Sequence, residues 1–151
     1  MNEMTTGVQI ILAQHCNGNE KPRLFGGQLM AWIDVIGAVA ARRYCGKPVT
    51  TACIDNLSFL RPAWLNDILV QEARITWTGR TSMEVRVDSY VEENGKRELV
   101  NRAYLVYVAL DENEKPSPVP EFFPQNEEEE TEYAAAVERK IMRMQEGSAK
   151  K

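Results

Sequence analysis

The chain has one histidine, His15, and three cysteines, Cys16, Cys45 and Cys53, none in CxxC spacing. A lone histidine excludes a histidine-built zinc site, and no metal is expected. An odd, scattered set of thiols excludes a disulfide framework and suits a reducing compartment. No apolar run reaches the ~18 residues that span a bilayer. The opening MNEMTTGVQ also lacks the basic-then-apolar pattern of a signal segment, so a cytoplasmic protein without a membrane partner is expected. Excess positive charge is missing too. A net charge of −4 argues against nucleic acid as a partner, though a local basic pocket for a phosphorylated ligand is compatible with it. There is no G-x-S-x-G elbow, no Gly-rich loop ending in Lys-Ser/Thr and no G-x-G-x-x-G. Catalysis would therefore have to rest on carboxylates, amides, hydroxyls and backbone N–H groups. His15 and Cys16 do not change this, because neighbours in an extended chain point to opposite sides.

What is present begins with size. At 151 residues, 44% hydrophobic and 26% charged, the chain suits one soluble domain with its own core. TTGVQIILAQ (5–14) reads as a strand, followed by the turn-rich loop HCNGNEKPR. Gly26 and Gly27 open an apolar helix that ends in Arg42 and Arg43 and stops at Gly46 and Pro48. Strands are predicted at 49–59, 68–77, 82–92 and 99–110, with Asn94-Gly95 as a hairpin turn. In the third of these, Met83, Val85, Val87 and Val91 share one face, and Ser82, Glu84, Arg86 and Asp88 the other. A helix followed by strands, without βαβ alternation, predicts an α+β fold with an antiparallel sheet. Either that sheet curves around the helix or a second subunit covers it.

The tail after Pro124 predicts another helix, with Glu127 to Glu130 at its start and Arg139, Lys140 and Arg143 near its end. Its stripe Tyr133, Val137, Ile141 and Met144 would lie on the helix's own domain or on a second subunit.

Within LFGGQLMAWIDVIGAVAARR, the only polar side chains from Gln28 to Ala41 are Gln28 and Asp34. A buried, unpaired carboxylate costs several kcal/mol, so Asp34 needs a partner or a task. It lies two turns past Gly27, beyond the reach of the helix dipole, and Arg42 and Arg43 are not its helical neighbours. Its neighbours at three and four residues, Met30, Ala31, Gly37 and Ala38, leave room beside it. The paired glycines read either as an ordinary turn or as backbone N–H groups open to a ligand at a helix start. With Asp34 they supply both halves of acyl transfer, an oxyanion site and a base for water.

These residues resemble a known family. LFGGQLMAWID, with TACIDNLSFLRP, GRTSMEVRV and YVALDENEKPSPVP, looks like the acyl-CoA thioester hydrolases of the hotdog superfamily over roughly residues 5–120. The resemblance implies a long helix wrapped by a curved antiparallel sheet, in a thioesterase domain at 1–125; the additional helical tail at 126–151 lies outside its motifs. It implies homodimers with active sites at the subunit interface, assembled as a trimer of dimers into a hexamer. The reaction implied is hydrolysis of acyl-CoA to free CoA and a carboxylic acid. Coenzyme A enters as part of the substrate, and no separate cofactor is expected.

Carried over by position, Asp34 matches the family's catalytic acid, acting as general base or as nucleophile. Asn19 matches its loop asparagine, and the Gly27 N–H, beside Gly26, would hold the oxyanion. Thr51 would hydrogen-bond near the site or serve only its strand. Gly79, Arg80, Thr81 and Ser82 match a segment lining the coenzyme A channel. Arg61 and Arg80 are candidates for the coenzyme A phosphates, or else solvated surface arginines. Two positions depart from the pattern. Pro22 replaces a loop glycine and stiffens the loop, so that Asn17 could reach the site in place of Asn19. Asn66-Asp67 replaces Gly-Asp. A hotdog acyl-CoA-binding module without hydrolysis is the alternative function. A hotdog dehydratase would need a site histidine, which His15 is poorly placed to supply.

Overall fold

The computed structural model describes residues 3–18, 20–55 and 58–149. In chain order these form β1 (Thr5–Ile10), a 3-10 turn (Ala13–His15), β2 (Cys16–Asn17), β3 (Arg23–Leu24) and α1 (Gly26–Cys45). Then come β4 (Val49–Asp55), β5 (Ile68–Thr78), β6 (Ser82–Glu93), β7 (Lys96–Ala109) and α2 (Glu127–Ala149). The main sheet has the order β1-β5-β6-β7-β4, and all four strand pairs are antiparallel. This is the α+β hotdog architecture expected from the sequence: one long helix against an antiparallel sheet, with an additional C-terminal helix.

The sheet bends because three strands carry an extra residue. Ala52 in β4, Thr76 in β5 and Val100 in β7 have no partner across the ladder, and such bulges bend a strand and increase its twist. Asn94 (φ 52°) and Gly95 (φ 76°) both sit in the left-handed region that a two-residue hairpin between β6 and β7 requires.

Some predicted boundaries shift. The strand predicted over 5–14 stops at Ile10, because its partner β5 begins at the opposite residue, Ile68. The chain then turns, with the Leu12 N–H donating to His15 Nδ1 at 3.0 Å. The strand predicted over 49–59 runs only to Asp55. The last strand begins three residues earlier than predicted, directly at the hairpin.

One face of α1 packs on the concave side of the sheet through Leu29, Ile33, Ile36, Gly37, Ala40 and Ala41. Met83, Val85 and Val87 meet it from β6, fully buried as their shared face predicts. The opposite face of α1 is uncovered in the single chain, leaving Met30, Val35 and Val39 at 39%, 64% and 40% exposure.

The other face of β6 is not left to solvent. Across it lies α2, and the Arg139 guanidinium donates to both Glu84 carboxylate oxygens at 2.9 and 2.8 Å. The Tyr104 hydroxyl reaches Glu132 at 3.3 Å, and Arg74 pairs with Glu128 at 3.0 Å. The tail thus lies on its own domain. The predicted apolar stripe is only half used, however: Tyr133 stacks near Phe122, whereas Ile141 and Met144 are exposed. A polar sheet face selects the neighbouring, more polar face of the helix, centred on Glu132, Ala136 and Arg139.

Candidate active site

Two constellations lie along α1. The first is at its N-terminus. Phe25 caps the helix without a side-chain hydrogen bond, and its own N–H donates to the His15 carbonyl at 2.9 Å. The Gly26 and Gly27 N–H groups donate to no acceptor among the described residues, so a helix start with two free donors is on offer. An added Cβ at 27 would stand 2.5 Å from the exposed Phe25 ring, which would have to swing aside. An open cleft of about 440 Å³ adjoins this end, lined among others by Asn17, Arg23, Gly26, Phe59 and Arg61. Leu24 and Pro22 are tied across it, to Ala63 at 2.8 Å and Leu65 at 3.0 Å. Asn17 therefore faces the cleft; Asn19 lies outside the described residues.

The second constellation surrounds Asp34. Thr51 and Tyr107 are direct partners across the β4–β7 ladder, so their side chains project on one face of the sheet. Both hydroxyls converge on the helix. Thr51 donates to Asp34 Oδ1 at 2.7 Å, and Tyr107 lies 3.1 Å from the same oxygen and 2.8 Å from the Asp34 backbone carbonyl. Asp34 Oδ2 has no partner among the described residues. Burial, followed by the Asp34 charge and the hydrogen bond to it, pushes the Tyr107 hydroxyl far above its ordinary pKa. Tyr107 is therefore a permanent donor and cannot serve as a base. The partner that Asp34 needed is this pair of hydroxyls.

Sequence reasoning named Thr51 but missed Tyr107. A usable signal was a tyrosine amid the apolar run of a central strand, since a buried phenol must find an acceptor. The room noted beside Asp34 is also explained, because a Cβ on Gly37 would collide with the Tyr107 ring and hydroxyl.

Arg61 does not gather here but pairs with Glu98. The Gly79–Ser82 turn lies one register step from the Thr51–Tyr107 pair, since Met83 faces Tyr107 and Ser82 faces Val108. There the Gly79 N–H donates to the Ser82 carbonyl at 2.8 Å, Thr81 accepts from the Ala109 N–H at 2.9 Å and Arg80 is exposed. Nor do the two constellations meet within one chain: seven helical residues separate Gly27 from Asp34, about 10 Å along the axis. His15 and Cys16 form no catalytic pair, as His15 Nδ1 is occupied by Leu12 and burial raises the Cys16 thiol.

The profile of the thioesterase superfamily matches residues 22–98, the span from the loop before α1 to the start of β7. The chain belongs to the thioesterase superfamily. It is 42% identical over 123 residues to the uncharacterized acyl-CoA thioester hydrolase YkhA of Bacillus subtilis strain 168, covering 80% of this chain and 72% of that one. Among solved structures, an apo-hexameric acyl-CoA thioesterase superposes with a TM-score of 0.85 at 36% identity, covering 95% of this chain and 92% of that one. An acyl-CoA hydrolase from Staphylococcus aureus, in complex with butyryl coenzyme A, coenzyme A and coenzyme A disulfide, superposes at 0.84. It is 34% identical and covers 97% of this chain and 92% of its own. No helix among the described residues of this superfamily member is long and apolar enough to cross a membrane.

Proposed function

We propose that the protein hydrolyses acyl-CoA thioesters to free CoA and a carboxylic acid, with Asp34 as general base. One observation carries this reading: a carboxylate in the middle of an apolar helix has one oxygen fixed by two hydroxyl donors and the other left open. Fixing Oδ1 orients Oδ2 for a water molecule. That water attacks the thioester carbonyl as Asp34 takes its proton. The carbonyl oxygen becomes an oxyanion, held by the Gly27 N–H. Collapse breaks the C–S bond, and the proton on Asp34 goes to the departing thiolate.

The relatives named as acyl-CoA hydrolases support the substrate class. Variants of the Staphylococcus aureus hydrolase carry alanine for an asparagine, an aspartate and a threonine. Their spacing of fifteen and seventeen residues is that of Asn19, Asp34 and Thr51 in this chain.

The site is composed from two chains. Because Gly27 and Asp34 are two turns apart on one helix, the oxyanion donors that serve Asp34 come from a second copy of α1. The uncovered stripe Met30, Val35 and Val39 is the surface through which the homodimer forms. Three such dimers make a hexamer, in keeping with the hexameric neighbours.

The deciding experiment is release of free thiol from a chain-length series of acyl-CoAs by the purified protein. Turnover on part of the series is expected. Binding of acyl-CoA without thiol release anywhere in the series would make the protein a binding module instead.

A further inference from the structure

The cleft beside Gly26 has an apolar wall that the mechanism above does not use. Leu24, Phe59, Leu60, Pro62 and Ala63 line it, and two of them are large and face solvent, Phe59 at 37% and Leu60 at 64% exposure. Exposed apolar side chains gathered at one concavity mark a binding surface, as a lone one does not. The wall is anchored to the sheet. Asn101, almost fully buried, donates to the Ser58 carbonyl at 2.7 Å, and the Leu60 N–H donates to the Val100 carbonyl at 2.8 Å. Both anchors belong to β7, so the segment carrying Phe59 and Leu60 is fixed on a central strand. Phe59 in turn lies against the helix start, where a Cβ added at Gly26 would stand 3.5 Å from its ring.

Hydrogen bonding decides what can occupy this cleft. The Leu24 N–H is taken by the Ala63 carbonyl at 2.8 Å, the Leu60 N–H by Val100, and Pro62 has no N–H at all. The Arg23 guanidinium lies over the Trp64 ring at 5.1 Å, and that of Arg61 pairs with Glu98. Asn17 is the remaining polar side chain of the lining among the described residues. A thioester carbonyl held at the Gly27 N–H has two substituents, the acyl chain and the sulfur of the pantetheine arm. That arm is rich in amide groups, each of which needs partners when it leaves water. The wall has few to give. A hydrocarbon chain needs none.

We propose that this cleft holds the acyl chain, that hydrocarbon chains longer than acetyl are the preferred substrates, and that Leu60 sets their length. The assignment rests on the hydrolysis reading above and deepens it. In a site composed from two chains, the cleft belongs to the chain that supplies the Gly27 N–H. Its volume of about 440 Å³ falls within the ~300–1,000 Å³ of small-molecule sites. Each methylene drawn from water into it should raise kcat/KM about fourfold until the cleft is full.

The test measures kcat/KM for acetyl-, butyryl-, hexanoyl- and octanoyl-CoA with wild type, Leu60→Ser and Leu60→Trp. Leu60 faces solvent, so both variants should fold. For wild type the value should rise with chain length. Leu60→Ser should flatten that rise, lowering the octanoyl-to-acetyl ratio about tenfold, the scale of losing one or two methylene contacts. Leu60→Trp, which fills part of the cleft, should move the preference to a shorter chain. Wild-type values independent of chain length, or an unchanged ratio in both variants, would overturn the assignment. An equal loss on acetyl- and octanoyl-CoA would also overturn it, by placing the pantetheine arm in the cleft. Binding separates this from catalysis. Calorimetric titration of Asp34→Asn with the same series should show affinity rising with chain length, and a weaker grip on octanoyl-CoA once Leu60→Ser is added. If wild type releases no thiol but this binding pattern holds, the hydrolase reading falls and the acyl cleft stands. If thiol is released without any dependence on Leu60, the hydrolase reading stands and the acyl cleft falls.

Discussion

The Tyr107 hydroxyl lies 2.8 Å from the backbone carbonyl of Asp34 and 3.1 Å from its carboxylate. A residue of the central sheet thus holds both the helix turn and the reactive group that the turn carries. Tyr107→Phe should therefore lower kcat about tenfold and leave KM nearly unchanged, since the loss falls on orientation and not on binding. Steady-state kinetics on one acyl-CoA decides this. A rise in KM without loss of kcat would give Tyr107 a purely structural part.

Asp34→Asn keeps the shape and removes the base. Turnover should fall at least ~10²-fold while the oligomer stays intact. Near-normal thiol release by this variant would take Asp34 out of the mechanism.

Gly37→Ala puts a methyl where the Tyr107 hydroxyl sits. We expect a loss of about 1–3 kcal/mol from overpacking, read by thermal or denaturant unfolding. Adding Tyr107→Phe should return part of that loss, because the clashing oxygen is gone. Simple additivity of the two changes would show that they do not share this contact.

If each site takes its oxyanion loop from one chain and Asp34 from the other, two inactive proteins should rescue each other. Mixing Asn19→Ala with Asp34→Ala, with free exchange of subunits, should recover about a quarter of wild-type sites. Each mixed dimer then carries one intact site and one doubly broken one. Mixed dimers detected by mass spectrometry but lacking activity would place both residues of a site in one chain.

Acid should loosen the outer face of the sheet. Burial alone would raise the Asp88 carboxyl, but Arg86 and Arg102 outweigh it and hold it below its ordinary value. A carboxyl depressed in the folded state contributes its full stability above the ordinary carboxylate pKa, ~3.9. That contribution is lost as pH falls from there through the lower folded value. Unfolding measured from neutral to acid pH should show this decline in wild type and a flatter one in Asp88→Asn. Parallel curves would remove Asp88 from the acid limb.

Much of this protein was legible in its residues. Periodicity and turn chemistry are local, so α1, the hairpin at Asn94-Gly95 and the apolar face of β6 could be read directly from the chain. Asp34 was conspicuous for the same reason, as a single charge in an apolar helix has to be accounted for. What the chain did not disclose depends on contacts between distant segments. The partners of Asp34 come from strands seventeen and seventy-three residues away, and only the β4–β7 register brings their hydroxyls together. Glu84 read as part of the polar face of an alternating strand, and it is fully buried because α2 returns with Arg139 across it. The four arginines with no carboxylate partner among the described residues, Arg23, Arg42, Arg43 and Arg80, look no different in sequence from the seven that have one. Pairing is a matter of distance, and folding sets the distances: it carried acids to those seven and not to the other four.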